Sequence, residues 1–285
     1  MTQPEPRFSF GRNWKNFQCQ LTESDIDQAS ESLQKLLRRT ELEGVRFLDA
    51  GSGSGLFSLC ARRLGATVVS FDLDPESVAC TRSLQEREEV PDERWEVLEG
   101  SILDEDFLNQ LGQFDVVYSW GVVHHTGRMW NAIDLLIPLV AERGDFVVAI
   151  YNDQGFTSRV WSAIKRIYNK LPGFVQPLYV VGIFLWGAFC RMILTVLAML
   201  LRLVTLRNPL VPLSRWWNED RPRGMNWWHD LVDWVGGWPF EVARPGEVFT
   251  YFHEREFELA AMETTPGSGC NEYLFRRRVM NSNSE

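Results

Sequence analysis

The sequence predicts an α/β protein with a mostly parallel sheet, and three observations support this prediction. Short apolar runs alternate with helical stretches between residues 46 and 151. These runs are apolar on both faces, as expected for strands that are covered by helices on both sides. The alternation stops after Tyr151 and resumes near Arg244. We therefore expect a single sheet that is interrupted by an insertion over residues 153–243.

The bulk composition excludes several classes of protein. Of the 285 residues, 45% are hydrophobic and 24% are charged, which excludes a mostly disordered or fibrous chain. The formal net charge of −9 disfavours nucleic acid as a partner. The five cysteines show no CxxC or other paired spacing, so we expect reduced thiols in a cytoplasmic setting and predict no metal site. The N-terminal residues MTQPEPRFSFGRNW lack a basic start followed by an apolar run, so no secretory signal is expected.

An amphipathic helix is predicted over residues 23–40, where it can cover the sheet or a ligand. Its apolar side chains recur at helical spacing: Ile26, Ala29, Leu33, Leu36 and Leu37. Strands and helices then alternate along the chain: strand 45–50, helix 55–64, strand 67–73, helix 75–87, strand 94–100, strand 114–120 and strand 145–151. Parallel strands that are joined through helices form right-handed crossovers. The first 151 residues therefore predict the parallel part of the sheet.

The segment after the insertion predicts the rest of the sheet. A short helix is expected at 245–255, followed by strand candidates at 256–263 and 271–278. We expect these two strands to complete the sheet as an antiparallel pair.

The strongest local signal is the glycine turn FLDAGSGSGLFS at 48–59. A strand ends at Asp49, and glycines follow at positions 51, 53 and 55. Because glycine has no side chain, the backbone N–H groups of such a turn can approach a ligand closely. The third glycine comes one residue earlier than in GxGxxG. This spacing favours a methionine-type cofactor over a pyrophosphate.

A carboxylate lies where a ribose would be held. Nineteen residues past Gly53, the strand VVSFD ends at Asp72, and a carboxylate there can accept hydrogen bonds from both ribose hydroxyls. The same placement serves NAD and S-adenosylmethionine. Asp74 competes for this role, and we prefer Asp72 because it stands at the strand tip.

Taken together, these motifs resemble the class I S-adenosylmethionine-dependent methyltransferases. The resemblance rests on GxGxG after a strand aspartate, an acidic end to the second strand, GSILD after the third and FDVVYSWGVVHHT at the fourth. Within the class, the sequence is similar to small-molecule and quinone-type O-methyltransferases. The similarity covers residues 45–152 strongly and 244–278 loosely. It implies a Rossmann-like seven-stranded sheet, mostly parallel with an antiparallel last strand, and S-adenosylmethionine as cofactor with S-adenosylhomocysteine as product.

The resemblance also implies which residues bind the cofactor. The glycines line its methionine portion, Asp72 holds the ribose and Leu73 packs against the adenine. Ser101 and Ile102 stand where the family often has an acidic or amide residue, so a hydroxyl or backbone group replaces that contact here. Residues at the tip of the fourth strand face the methionine carbons. The implied set is Asp49, Gly51, Ser52, Gly53, Asp72, Leu73, Ser101, Ile102, Ser119 and Trp120.

The N-terminal segment offers two further cofactor candidates. Arg12 and Trp14 can fold over the cofactor, with Arg12 pairing with its carboxylate and an aromatic ring shielding the sulfonium by cation–π attraction. The alternative is an N-terminal strip that packs on the sheet without touching a ligand.

The candidates for chemistry follow the fourth and fifth strands. His124 and His125 come directly after the fourth strand, and an imidazole can deprotonate a hydroxyl near neutral pH. Two roles remain open for them, general base and loop-ordering hydrogen bonder, and His125 is the preferred base. Tyr151 ends the fifth strand and opens onto the same face. Asn152 and Asp153 follow it, and both residue types often simply end a strand.

The insertion is apolar and basic. Residues 153–240 contain ten Lys and Arg against five Asp and Glu, and eight of the twelve tryptophans lie between 161 and 238. Residues 171–190 carry no charge, and an uncharged segment of this length is long enough to span a bilayer. However, Arg191 would cost at least ~2.5 kcal/mol within a membrane. The sheet also resumes after the insertion, on the same side of any membrane, which argues against a single spanning helix.

One side of the apolar insertion helix carries small and polar residues. The stripe consists of Gly187, Arg191, Thr195, Ala198, Arg202 and Thr205, spaced three or four residues apart. A helix of this kind can lie in a membrane interface or pack against its own domain or a second copy. Besides packing against its own domain, three alternatives therefore remain. Residues 171–206 contact a membrane surface, the chain forms a homo-oligomer, or the helix crosses the membrane. The aromatic segment that ends the insertion, RGMNWWHDLVDWVGGWPFE, suits the lid of an acceptor pocket.

These observations predict a four-part chain with an enzymatic core. The parts are an N-terminal helical segment over 1–44, a cofactor-binding core over 45–152, a lid-like insertion over 153–243 and a completion of the sheet over 244–285. We expect methyl transfer to a small or lipid-linked acceptor, with oxygen preferred, in the cytoplasm or at the inner membrane face. The alternatives are an NAD-dependent oxidoreductase and a catalytically silent cofactor-binding protein at the membrane. A nucleic-acid methyltransferase is disfavoured because the main body is acidic.

Overall fold

A computed structural model describes residues 8, 11, 14, 21–89, 91, 93–214 and 227–278. Its strands are β1 (Arg46–Ala50), β2 (Thr67–Asp72), β3 (Trp95–Glu99), β4 (Phe114–Trp120), β5 (Val140–Tyr151), β6 (Phe257–Glu263) and β7 (Cys270–Arg277). They form one seven-stranded sheet in the order β3-β2-β1-β4-β5-β7-β6. The first five strands pair in parallel, and β7 pairs antiparallel with both β5 and β6. The predicted Rossmann-like sheet with an antiparallel last strand is confirmed.

Ten α-helices are described. They are α1 (Glu23–Leu37), α2 (Leu56–Arg63), α3 (Pro75–Arg87), α4 (Glu105–Leu108), α5 (Met129–Leu136), α6 (Phe156–Lys170), α7 (Gln176–Val204), α8 (Val211–Ser214), α9 (Trp227–Gly236) and α10 (Pro245–His253). Two single 3-10 turns lie at Val123–His125 and Ile137–Leu139. The predicted helices correspond to α1, α2, α3 and α10 and, in the insertion, to α7. The other five helices were not predicted individually. The fifth strand also begins five residues before its predicted start.

Polar side chains cap the helices that surround the sheet. Thr22 and Asp25 form a capping box at the start of α1, where the Thr22 N–H donates to the Asp25 carboxylate at 2.9 Å. Asp74 precedes Pro75 and accepts a hydrogen bond from the Glu76 N–H at 2.9 Å, so α3 begins at the predicted residue.

Alternate residues of the central strands enter two separate cores. Phe47 and Val116 pack with α1, α2 and α3, whereas Leu48 and Val117 pack with α5 and α10. Because both faces of the sheet are covered, the central strands are apolar throughout, as their sequences indicate.

The insertion leaves the sheet and returns to it at one place. Asn152 and Ala243 form an isolated parallel bridge, so the two ends of the insertion lie side by side. Tyr168 of α6, Val180 of α7 and Val235 of α9 form a small separate core. Val180 is the one buried residue of the 29 in α7. The first turns of α7 therefore pack against the protein's own domain, which is one of the alternatives raised by its sequence, whereas the rest of the helix is exposed or only partly buried.

Candidate active site

The glycine turn sits between β1 and α2 and is held on the tip of β2. The N–H groups of Gly51 and Ser52 donate to the Phe71 carbonyl at 2.8 and 3.1 Å. The φ angles of Gly51, Gly53 and Gly55 are 91°, 55° and 79°, a region that residues with a Cβ rarely adopt. A Cβ at Gly51 would also lie 2.6 Å from Cγ2 of Val122. At this position, both the backbone conformation and the available space require glycine.

Asp72 links the glycine turn to the turn that follows β2. Its Oδ2 accepts a hydrogen bond from the Gly53 N–H at 3.0 Å, and its Oδ1 accepts one from the Asp74 N–H at 2.9 Å. A carboxylate has about four acceptor sites, so Asp72 keeps acceptor capacity for the hydroxyls of a ribose. Burial raises the pKa of Asp72. The adjacent Leu73 side chain is 52% exposed, which fits an apolar surface for an adenine ring.

Asp49 lies below the turn and not at its surface. Its side chain is buried and accepts a hydrogen bond from the Ser58 hydroxyl of α2 at 2.5 Å. Burial raises the pKa of Asp49 to about 7. The structure thus gives this carboxylate a role in joining β1 to α2, and a direct contact with the cofactor stays a prediction.

Two predicted serines are also engaged within the protein. The Ser52 and Thr81 hydroxyls share a hydrogen bond of 3.0 Å, and the Ser119 hydroxyl donates to the Ala50 carbonyl at 3.1 Å. Both serine side chains are buried. They stabilise the ends of β1 and β4. Any contact of these two serines with a cofactor would therefore be made by their backbone groups.

The remaining predicted cofactor residues surround the same strand ends. The Ser101 hydroxyl accepts a hydrogen bond from the Leu103 N–H at 3.1 Å, and Ile102 is buried in the core. The Trp120 indole donates to the Glu272 carboxylate on β7 at 3.0 Å. Their cofactor contacts stay predictions.

Part of the N-terminal segment crosses the strand tips. The Gly11 N–H donates to the Asp74 carboxylate at 3.1 Å. A Cβ placed on Gly53 would lie 3.1 Å from the indole ring of Trp14, so this ring covers the centre of the glycine turn. The position fits the predicted fold-over of the cofactor site, whereas Arg12 lies outside the described residues.

The histidine pair forms a short 3-10 turn directly after β4. His124 is fully buried, and its ring centroid lies 4.2 Å from that of Tyr151. Nδ1 of His125 lies 2.6 Å from the Pro239 carbonyl. Because a carbonyl oxygen only accepts, Nδ1 carries the proton in this contact and Nε2 is the proton-accepting nitrogen.

Burial weakens both histidines as bases. It is the main cause that lowers the pKa of His125 to about 3 and the pKa of His124 well below its ordinary value. A general base works best when its pKa lies near the working pH. For His125, whose Nδ1 contacts the Pro239 carbonyl, this geometry favours the loop-ordering role. In the described part of the chain, no group of three or more His, Cys, Asp or Glu side chains lies together as a metal site.

The histidine turn holds the returning end of the insertion in place. The Glu241 N–H donates to the His124 carbonyl at 3.0 Å, and the Glu241 carboxylate accepts the Met129 N–H at 3.0 Å. Together with the His125–Pro239 contact, these bonds attach the lid-like segment to the end of β4. Residues far apart in sequence therefore meet at the carboxyl edge of the sheet.

Lys165 is a candidate site residue that sequence reasoning missed. It is fully buried on α6, and its Nζ donates to the Trp234 carbonyl. The Nζ lies 4.9 Å from the ring centroids of both Trp234 and Phe240 and 5.9 Å from that of Tyr151. Ser158, Lys165 and Tyr168 are the buried residues of α6, but a lysine in an amphipathic helix gives no sequence signal of burial.

Lowering the pH from about 7 to about 5 is expected to destabilise the fold through the histidine pair. Burial lowers the pKa of His125 from the ordinary value of 6.5 to about 3, so the unfolded chain binds more protons in that window. Stability should therefore fall as the pH drops below 6.5, by about 1.4 kcal/mol per pH unit for each such histidine. Urea unfolding at several pH values measures this slope.

The variant His125→Asn isolates the effect, because its side-chain amide can still donate to the Pro239 carbonyl. Asp49, whose pKa is raised by burial, acts in the opposite sense, so the slope of the variant is compared with that of the unchanged protein. We expect a shallower slope for His125→Asn than for the unchanged protein. Equal slopes for the two proteins would refute the assignment.

Comparison with known proteins identifies the core that contains this site. Residues 48–148 match a family model described as a methyltransferase domain. The core is a class I S-adenosylmethionine-dependent methyltransferase domain. The resemblance inferred from the motifs is confirmed, and with it S-adenosylmethionine as the cofactor of this methyltransferase domain.

Curated relatives match the methyltransferase domain only in part. The chain is 30% identical over 116 residues to a ubiquinone biosynthesis O-methyltransferase of Caulobacter sp. (strain K31), which covers 40% of this chain and 44% of that protein. It is 38% identical over 95 residues to a protein of the same name from Xanthomonas euvesicatoria pv. vesicatoria (strain 85-10), covering 33% and 37%. The chain therefore spans less than half the length of these relatives.

Solved structures share the fold of the methyltransferase domain. Magnesium protoporphyrin IX methyltransferase from Synechocystis PCC 6803 with bound S-adenosylhomocysteine is 14% identical with a TM-score of 0.51, over 88% of this chain and 82% of that chain. An O-methyltransferase family protein from Burkholderia thailandensis is 12% identical with a TM-score of 0.52, over 90% and 56%. At these identities the likeness concerns the fold.

Proposed function

We propose that this protein transfers a methyl group from S-adenosylmethionine to an oxygen atom of a small or lipid-linked acceptor. The observation that carries the proposal is the link between the Gly53 N–H and the Asp72 carboxylate at the tips of β1 and β2. This link lies within the matched methyltransferase domain. It leaves acceptor sites on Asp72 beside an exposed Leu73, as a bound adenosine requires.

The chain's residues bind and align the reactants in this proposal. When bound, S-adenosylmethionine supplies a methyl group on an already activated leaving group, so alignment is the main demand on the protein. The glycine turn and Asp72 hold the cofactor at the edge of the sheet. The Trp14 ring, which covers Gly53, shields a positively charged group by cation–π attraction.

The acceptor would lie between the carboxyl edge of the sheet and the insertion. The ring centroids of Trp234 and Phe240 lie 5.7 and 5.0 Å from that of Tyr151. The three rings form an apolar wall that suits a ring or an acyl chain. Lys165 adds a positive charge at this wall, which favours an acceptor oxygen that becomes negative on losing its proton. His125 orders the loop beside it, and His124 supports Tyr151 from below.

Oxygen is favoured as the accepting atom by the curated relatives. Two of them carry the name ubiquinone biosynthesis O-methyltransferase. The exposed apolar helix α7 of the insertion favours an acceptor with a lipid part.

Methyl transfer to an extract tests the proposed reaction. The full chain is incubated with isotope-labelled S-adenosylmethionine and either a lipid extract or a water-soluble metabolite extract. We expect label in the lipid fraction, in a species one methyl group heavier, and none with Asp72→Ala. Labelling of the water-soluble fraction alone would contradict the lipid-linked acceptor. Cofactor binding without labelling of either fraction would favour the catalytically silent alternative.

A further inference from the structure

Helix α7 is a long apolar helix that the described part of the protein leaves largely exposed. Its 29 residues contain two charges, Arg191 and Arg202, and it is about 44 Å long at 1.5 Å per residue. Large apolar side chains are exposed along its length, including Trp186 at 60%, Leu194 at 66% and Leu201 at 65%. An exposed apolar surface of this extent indicates a site that binds another protein or a membrane.

The exposed apolar side chains occupy more than half of the helix circumference. At 3.6 residues per turn, Arg191, Thr195 and Arg202 fall on one narrow stripe, and all three are partly buried. Exposed residues such as Ile193 and Leu197 point the other way. A second protein copy covers one face of a helix, whereas lipid can cover a wide arc. The distribution therefore favours lipid as the cover.

The path of the chain places the helix in the plane of a membrane and not across it. Among the described residues, α7 is the one helix that is long and apolar enough to cross. The insertion starts and ends side by side, at the Asn152–Ala243 bridge, so one crossing would require a second. In the sequence from 205 to 242, the longest uncharged runs are seven residues, at 208–214 and 234–240. A spanning helix needs about 20 apolar residues.

We propose that α7 docks the protein on the surface of an anionic bilayer, with its apolar arc in the acyl region and its arginine stripe toward the headgroups. Charge supports this occupant, because residues 153–240 carry ten Lys and Arg against five Asp and Glu in a chain of net charge −9. Basic side chains are attracted to the anionic cytoplasmic leaflet. We therefore place the protein at the inner face of the membrane.

Docking would bring the acceptor wall close to the bilayer. The first turns of α7 pack on α6 and α9 through Val180, Tyr168 and Val235, and α6 carries Lys165. A lipid-linked acceptor could then be methylated without leaving the membrane, a consequence that rests on the proposed function. The docking itself goes beyond that function, and its test does not depend on methyl transfer.

Vesicle flotation with matched variants tests the proposal. The full chain is mixed with vesicles of phosphatidylcholine containing about one-third phosphatidylglycerol, or of phosphatidylcholine alone. Ile193→Gln/Leu197→Gln places two amides in the apolar arc, and Thr195→Gln/Ala198→Gln places the same two amides in the stripe. Both pairs leave the net charge unchanged and lie outside the folded core. Circular dichroism confirms that each variant keeps its helix content.

We expect the unchanged protein to float with the anionic vesicles and to be released at alkaline pH, as a surface-bound protein is. The arc variant should lose at least tenfold in partitioning, whereas the stripe variant should change less than twofold. Arg191→Gln should lower partitioning onto the anionic vesicles about fivefold.

Three outcomes would overturn the proposal. Equal losses for the arc and stripe variants would show that the helix does not lie with one side in lipid. Retention at alkaline pH would show a spanning helix. A vesicle-free dimer in light scattering that the arc variant converts to a monomer, together with no flotation, would show that a second copy covers the helix.

Discussion

Replacing Asp72 with alanine is expected to weaken S-adenosylmethionine binding at least about 100-fold, because it removes a charged acceptor of two ribose hydroxyls. Hydrogen bonds to charged groups contribute about 1.5–3 kcal/mol each, so losing two corresponds to ~3 kcal/mol or more. The same change releases the Gly53 and Asp74 N–H groups that Asp72 holds. Isothermal titration calorimetry of the folded variant measures the effect.

Asp74→Ala is the matched control for this prediction. It removes a second carboxylate two residues away, which caps α3 through the Glu76 N–H. We expect a loss of about 1 kcal/mol in stability from the missing cap and a change in cofactor affinity of less than about threefold. If Asp74→Ala weakened binding as much as Asp72→Ala, the ribose contact would belong to the turn as a whole and not to Asp72.

Replacing Gly51 with alanine is expected to destabilise the protein by ~3 kcal/mol or more and to abolish cofactor binding. An alanine at a φ of 91° is strained by about 1–3 kcal/mol. The new methyl group would also lie 2.6 Å from Cγ2 of Val122, so the turn would have to move off the tip of β2. Chemical denaturation gives the change in the free energy of unfolding.

Two further variants separate the strain from the clash. Gly44→Ala has a similar φ of 76° with nothing within 4 Å of the added Cβ, so it should show the conformational cost alone. Adding Val122→Ala to Gly51→Ala should recover part of the lost stability by making room. Equal losses for Gly44→Ala and Gly51→Ala, with no recovery in the double variant, would contradict the account of the turn.

The parts of the fold that local chemistry determines were predictable from the sequence. The start of α3 follows from Asp74 before Pro75, and the glycine turn follows from a strand end with Gly51 and Gly53. In both cases the residues that decide the structure are neighbours in the chain. The parallel part of the sheet was predicted from apolar runs separated by helices, and the seven strands with an antiparallel last strand were predicted from the family resemblance.

The parts that depend on long-range contacts were not predictable. Lys165 on an amphipathic helix is typical of a solvated face, and only the packing of α6 against α9 buries it beside Trp234. The contact between His125 and the Pro239 carbonyl joins residues 114 positions apart. Burial of the imidazole lowers its pKa, whereas the hydrogen bond to the Pro239 carbonyl raises it, and no local pattern indicates this environment. The candidate acceptor site therefore emerged only from the folded structure.

Calorimetric titration of the full chain with S-adenosylhomocysteine and, separately, with NAD tests the central claim most directly. We expect saturable heat at one site per chain for S-adenosylhomocysteine and none for NAD, since the spacing of the glycine turn favours a methionine-type cofactor over a pyrophosphate. Saturable heat with NAD, or no heat with either ligand from folded protein, would contradict the central claim.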